Sequence, residues 1–254
     1  MNKIEVKELS KNFGKLKVLD GITFHVKEGE LLCIVGPSGC GKTTLLKIMA
    51  RLMKHNSGEV LIEGVPSSPK VHRIGYVPQT ISLLPWRTIY DNVKLGLEIK
   101  GVKGKEADRR VREAIRLVGL EGFEKYYPHQ VSIGMMARAA IARALVIEPD
   151  VVLMDEPFAN LDAQTRSLMQ QELLRLHAVA GKTTVFVTHS VEEAILLADT
   201  LIILTNRPAR VKKIMEVKLP RPRSKFNRAF IKLRKEVESL VAEEVTLSSS
   251  SPSF

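Results

Sequence analysis

The segment Gly36-Pro37-Ser38-Gly39-Cys40-Gly41-Lys42-Thr43-Thr44 carries chemistry in both its residue types and its spacing. It fills every fixed position of the pattern GxxxxGK(S/T), which cradles phosphates. Glycines at 36, 39 and 41 let the backbone turn tightly, so that successive N–H groups of the loop, those of Ser38 and Cys40 among them, face phosphate oxygens. The dipole of a following helix adds positive potential. Lys42 supplies a mobile charge for the outer phosphates, Thr43 a hydroxyl for a magnesium ion, and Thr44 a further phosphate contact. The alternative, an ordinary glycine turn before a helix, leaves the lysine and hydroxyl at these positions to chance. A nucleoside triphosphate is the implied ligand.

A second chemical position follows at Asp155-Glu156, directly after the apolar run Val151-Val152-Leu153-Met154. Acids at the carboxyl end of a buried strand lie where open parallel sheets bind ligands. Asp155 is suited to holding magnesium through water. Glu156 is suited to orienting or deprotonating the water that attacks a γ-phosphate. Alone, such a pair reads equally as a solvated turn; after a phosphate loop, the chemical reading prevails.

The elements that must position these residues are legible from periodicity. Leu31 to Val35 is continuous apolar sequence, expected as a buried strand before the loop. Lys42 to Lys54 places Leu45, Leu46, Ile48, Met49, Leu52 and Met53 at helical spacing. Strands are expected at Ile4 to Leu9, Val18 to Val26 and Glu59 to Ile62. Thr88 to about Leu145 reads as mostly helical, with strong formers over Lys105 to Val118 and Met135 to Ile147. Val151 to Leu204 returns to strand–helix–strand alternation. The expected fold is therefore α/β, with a mostly parallel core sheet, an N-terminal antiparallel β portion and a helical insertion.

Further residues in the same order give these motifs a family likeness. Phe13, Gln79 after Ile74-Gly75-Tyr76-Val77-Pro78, Ser132 and Gly134, Ala159-Asn160-Leu161-Asp162, and His189 after Thr184 to Thr188 flank the two positions above. Over residues 1 to about 220, the chain resembles the ATP-binding subunits of ABC transporters. Leu84-Pro85-Trp86-Arg87-Thr88, Pro157 to Asp162 and Pro220-Arg221-Pro222-Arg223 resemble the nitrate, sulfonate and taurine importer branch. The resemblance implies an ATP-binding core at residues 1–84 and 146–205, a helical signature subdomain at 85–145, and a C-terminal extension at 206–254.

By the same resemblance Phe13 stacks on adenine, Gln79 touches the metal and the attacking water, and His189 senses the γ-phosphate. Ser132 and Gly134 act on ATP bound by a second subunit, and Asp162 belongs to the loop that meets that subunit. It further implies Mg-dependent ATP hydrolysis coupled to transport of a small solute. The implied partners are an integral-membrane permease, a second and identical ATP-binding subunit, and an extracytoplasmic solute-binding protein. The location would be peripheral, on the cytoplasmic face of the cell membrane. A soluble ABC ATPase without a transport role and a weakly hydrolysing regulatory cassette are the alternatives. The signature departs from the family: Val131-Ser132-Ile133-Gly134-Met135 has isoleucine where a glycine is usual. Its bulk and β-branching are expected to slow turnover.

Composition narrows the partners. The chain has 254 residues and a net charge of +11. Twelve bases and one acid, Glu216, fall between Arg207 and Lys235, which holds the entire excess. The ATP-binding core is thus close to neutral, and no nucleic-acid partner is expected. The basic extension reads either as a lipid-facing segment or as a solvated one. Within it Phe226, Phe230, Leu233, Val237 and Leu240 mark one face of a helix, able to pack on the core, on a second subunit or on membrane. Ser248 to Ser253 is expected to be disordered. Trp86, the sole tryptophan, is expected either as an exposed anchor for the permease or as packing beneath the helical subdomain. No apolar run reaches a membrane-spanning length, and no signal-peptide core precedes the first strand. Cys33 and Cys40 give no disulfide framework, and a reducing cytoplasm fits.

Overall fold

The computed structural model describes residues 1–249. It forms two compact units, one of Met1–Val71 with the chain from Thr183 onward, the other of His72–Lys182.

The first unit begins with β1 (Asn2–Phe13) and β2 (Leu16–Lys27), two antiparallel strands whose apolar residues alternate inward. β3 (Leu31–Val35) is buried at every position, as strands covered on both faces must be. The helix α1 (Lys42–Met49) follows, then β4 (Ser57–Ile62) and the short β5 (Val65–Pro66). β1, β2, β4 and β5 make one antiparallel sheet in the order β2-β1-β4-β5. The helix expected to run to Lys54 stops at Met49. Arg51 takes a left-handed φ of 62°, which ends the helix, and Leu52 is left exposed.

The second unit opens with β6 (Ile74–Val77), then α2 (Ile89–Ile99), α3 (Gly104–Leu117) and a 3-10 turn at Pro128–Gln130. It continues with α4 (Ile133–Leu145), β7 (Val151–Asp155) and α5 (Ala163–Ala180). β6 and β7 run parallel, with Val77 opposite Met154. The helices α2, α3 and α4 pack on one another, and α4 also packs on β6.

The chain then completes the first unit with β8 (Thr183–Val187), α6 (Val191–Leu197), β9 (Thr200–Leu204), β10 (Val211–Glu216) and α7 (Arg228–Ser249). β3 lies between β8 and β9, parallel to both, while β10 adds antiparallel to β9. The α/β class with a mostly parallel core is as expected. α7 packs on α6 and β9, burying Phe230 and Val237 and half-burying Leu233 and Leu240. Phe226, assigned to that face from its spacing, instead precedes the helix and is 90 % exposed. Ser248 and Ser249 are helical rather than disordered, and the remainder of the expected disordered run lies outside the described residues. Cys33 and Cys40 are free thiols, as expected; both are buried, which raises their pKa values.

Candidate ATP site and its supports

The phosphate loop leaves β3 and enters α1 through two glycines at which a side chain would be strained or tightly crowded. Gly41 is the residue before the helix, at φ 125°, and a Cβ there would lie 2.9 Å from Leu19 Cδ2 and 3.0 Å from Val18 Cγ1. Gly36 has an ordinary backbone but lies against β9, where a Cβ would come 3.1 Å from the Leu204 carbonyl oxygen. The loop is therefore shaped by strain at one end and by close packing at the other. No side chain caps the N-terminus of α1, so its first N–H groups keep the positive end of the helix dipole for an anion.

Lys42 is buried, and its Nζ donates to the carbonyls of Gly36 (2.9 Å) and Pro37 (2.8 Å), which hold the charge inside the loop. Thr43 and Thr44 are half-buried in the first turn, Cys40 is buried, and Ser38 and Gly39 are exposed on the loop's outer side.

The same unit carries Phe13 and His189. Phe13 is 46 % exposed at the end of β1, with Lys11 Nζ 4.9 Å from its ring centroid. Phe13 is thus not a core aromatic. His189 is exposed, between β8 and α6. Its neighbours are tightly held: Thr188 Oγ1 donates to the buried Glu193 Oε2 at 2.5 Å, and the Ser190 Oγ caps α6 by accepting from the Glu193 N–H.

In the second unit Asp155 closes β7 and is 2 % exposed, while Glu156 follows half-buried. Glu156 has φ 44°, a left-handed conformation that a non-glycine residue adopts at a cost and that clusters at working sites. Gln79 is exposed two residues beyond β6, at the same end of the strand pair as Asp155. Tyr76, given no role from sequence, donates its hydroxyl to Asp155 Oδ2 at 3.2 Å. Burial first, and then the Asp155 charge, raise the Tyr76 pKa.

Ser132, Gly134 and Asp162 come together where α4 and α5 begin. Ser132 Oγ caps α4 by accepting from the Met135 N–H at 3.2 Å. Asp162 Oδ1 caps α5 by accepting from Gln164 and Thr165 N–H groups, both at 3.0 Å. These bonds lower its pKa, the Thr165 side-chain contact contributing most. Gly134 is needed for the approach of the two helices, since a Cβ there would lie 3.0 Å from Thr165 Cγ2. Ile133 is the first helical residue, at an ordinary backbone angle, and its side chain is 52 % exposed. The isoleucine therefore imposes no backbone strain. Any effect must come from its bulk beside the uncommitted N–H groups of the first turn.

Two further supports come from side chains given no site role from sequence. Asn92, fully buried in α2, ties down Leu84 to Thr88: its Oδ1 accepts from the Leu84 N–H (2.7 Å), and its Nδ2 donates to the carbonyls of Leu84, Arg87 and Thr88. The loop so fixed presents Trp86 at 72 % exposure, which decides for an outward-facing tryptophan over a packed one. In the first unit, Arg221 and Arg223 donate to the last carbonyls of α6.

In the first unit Thr43 offers a hydroxyl, and in the second Gln79 and Asp155 offer an amide and one carboxylate. Each is a hard oxygen donor of the kind magnesium takes. Among the described residues no group of three or more His, Cys, Asp or Glu is placed to hold a metal ion.

Parallel core strands, a built phosphate loop and a strand-end acid pair define a phosphate-loop ATPase. The family model described as ABC transporter matches residues 19–159. An uncharacterized ABC transporter ATP-binding protein of Methanocaldococcus jannaschii is 47% identical over 96% of this chain and 92% of its own. The aliphatic sulfonates import ATP-binding protein of Bacillus cereus is 41% identical, over 92% and 94% respectively. Among solved structures, a dimeric ATP-binding cassette in a post-hydrolysis state with ADP and Pi superposes with TM-score 0.72 at 32% identity, covering 85% of this chain and all of that one. The chain belongs to the ABC transporter family, and it is an ATPase that works on ATP with magnesium.

Proposed function

We propose that this chain is the motor subunit of an importer for a small solute, bound at the cytoplasmic face of a membrane permease and working as a pair of identical copies. The observation that carries the reading is the phosphate loop, with Lys42 enclosed and Gly41 in a conformation closed to other residues. The sulfonate-import relative, alike over nearly the whole chain, supports the importer assignment. The exposed Trp86 supports a docking surface on the helical unit. Among the described residues no helix is long and apolar enough to cross a membrane.

In this reading the N–H groups of residues 36 to 44 and Lys42 hold the phosphates, and Phe13 stacks on the base. Thr43, Gln79 and Asp155 hold magnesium, which when bound neutralises charge on the β- and γ-phosphates. Glu156 orients a water and takes its proton as the water oxygen bonds to the γ-phosphorus. The bond to the β–γ bridging oxygen breaks, leaving ADP and phosphate. His189 reads the presence of the γ-phosphate. Ser132 and Gly134 face the ATP of the second copy, and Asp162 lies in the loop beside it.

Two experiments test this. Affinity capture of the tagged chain from mildly solubilised native membranes should recover a polytopic membrane protein; recovery of ribosomes or nucleic acid would favour a soluble ATPase. Glu156→Gln should bind ATP normally yet lower steady-state hydrolysis by at least two orders of magnitude. Unchanged turnover would remove Glu156 from its role. A second reading, a weakly hydrolysing regulatory cassette, is favoured by the exposed Ile133 at the start of α4.

A further inference from the structure

The contact between Tyr76 and Asp155 has a geometry that packing alone does not require. Tyr76 pairs with Leu153 across the parallel strands, so Tyr76, Leu153 and Asp155 share one face of the pair. On the opposite face Gly75 is pressed against α4: a Cβ there would lie 2.7 Å from the Ala144 carbonyl oxygen. The strand is thereby held from behind, and Tyr76 is aimed at the other side. Its phenol is long enough to lean along the sheet and donate to Asp155 Oδ2, at 3.2 Å. The half-buried Tyr76 and the buried Asp155 keep bulk water from taking over that bond.

We propose that Tyr76 is a positioning residue for the metal-binding carboxylate: its O–H fixes the rotation of the Asp155 carboxyl about Cβ–Cγ, and so the direction in which that group meets magnesium and its waters. This rests on the ATPase reading of Asp155. A hydroxyl that holds one carboxylate oxygen orients the ligand as outer partners orient ligands at other metal sites, where their loss weakens metal binding without abolishing it. The role belongs to the O–H and not to the ring, so phenylalanine isolates it.

The test uses the full chain and a fluorescent ATP analogue, titrated with and without magnesium, alongside manganese titrated by electron paramagnetic resonance in the presence of nucleotide. Tyr76→Phe should leave metal-free nucleotide affinity within about twofold of wild type, while the gain conferred by magnesium falls by about tenfold. Manganese should bind correspondingly more weakly. In an Asp155→Asn background the tyrosine substitution should add nothing, since the bond it removes serves only the carboxylate. Equal magnesium gains in wild type and Tyr76→Phe would overturn the inference, as would equal losses with and without metal. Additive effects in the Asp155→Asn background would do the same. A wild-type chain with no magnesium-dependent gain at all would overturn the ATPase reading together with the inference.

Discussion

Removing the Arg223 guanidinium should destabilise the first unit far more than loss of a surface base would. Its Nη1 donates to the carbonyls of Ile195 (2.6 Å), Ala198 (2.6 Å) and Leu196 (3.3 Å), its Nε to Leu219 (3.0 Å), and its Nη2 to Val217 (3.3 Å). All five acceptors are backbone oxygens, three of them at the C-terminal end of α6, where carbonyls lack intrahelical partners. Burial, reinforced by Arg221, depresses the Arg223 pKa to about 10, so the group remains charged at neutral pH. Three of the bonds are of good length; at roughly 1 kcal/mol net each, Arg223→Ala should cost about 3 kcal/mol. For a chain of this size that lowers Tm by roughly 6 to 12 °C. Arg223→Lys keeps the charge at the helix end but replaces a planar fork with a point donor, and should recover about a third of the loss. Thermal and denaturant unfolding of the three proteins measure this directly. A loss below about 1 kcal/mol for alanine, or a lysine variant equal to wild type, would refute the clamp.

Two other outcomes follow from the geometry. Asn92→Ala takes the side-chain partner from the half-buried Leu84 N–H and Arg87 carbonyl, while the Leu84 and Thr88 carbonyls keep the Arg87 and Asn92 N–H groups, and should cost about 2 to 4 kcal/mol; it should also make residues 84–88 newly sensitive to limited proteolysis, and an unchanged cleavage pattern would show that the loop stands without the amide. Ile133→Gly should raise steady-state ATPase a fewfold while lowering stability by about 1 kcal/mol, the cost of glycine in a helix. Turnover that fails to rise would clear the isoleucine of any braking effect.

What the sequence displayed, and what it hid, divides along a physical line. Gly36 to Thr44, the buried strand before it and the acid pair after Met154 were legible because phosphate binding forces residue types at fixed local spacing. So were the long buried strands, whose apolar runs are a local signal. The end of α1 was not, because a left-handed Arg51 is set by the tertiary turn into β4, with no glycine or proline to announce it. Asn92 and Tyr76 escaped for a similar reason: each works through partners 8 and 79 positions away in sequence, and an isolated asparagine or tyrosine carries no pattern. Phe226 fell outside its helix because spacing fixes only a phase, whereas the chain enters α7 two residues later, at Arg228.

The basic extension shows the same limit from the side of charge. Summed along the sequence it is an unopposed block, which invites a search for an anionic partner. In the fold, Arg210 pairs with Asp20, Lys212 with Glu243 and Glu244, and Lys213 with Glu236. Lys225 and Arg234 both reach Glu192 in the first turn of α6, while Arg221 pairs with Asp199 and Arg223 holds the far end of that helix. Bases from the extension thus hold both ends of α6, whose N-terminal cap, Ser190, adjoins His189. Four of the block's twelve bases, Arg221, Arg223, Lys225 and Arg234, fasten a helix within their own unit.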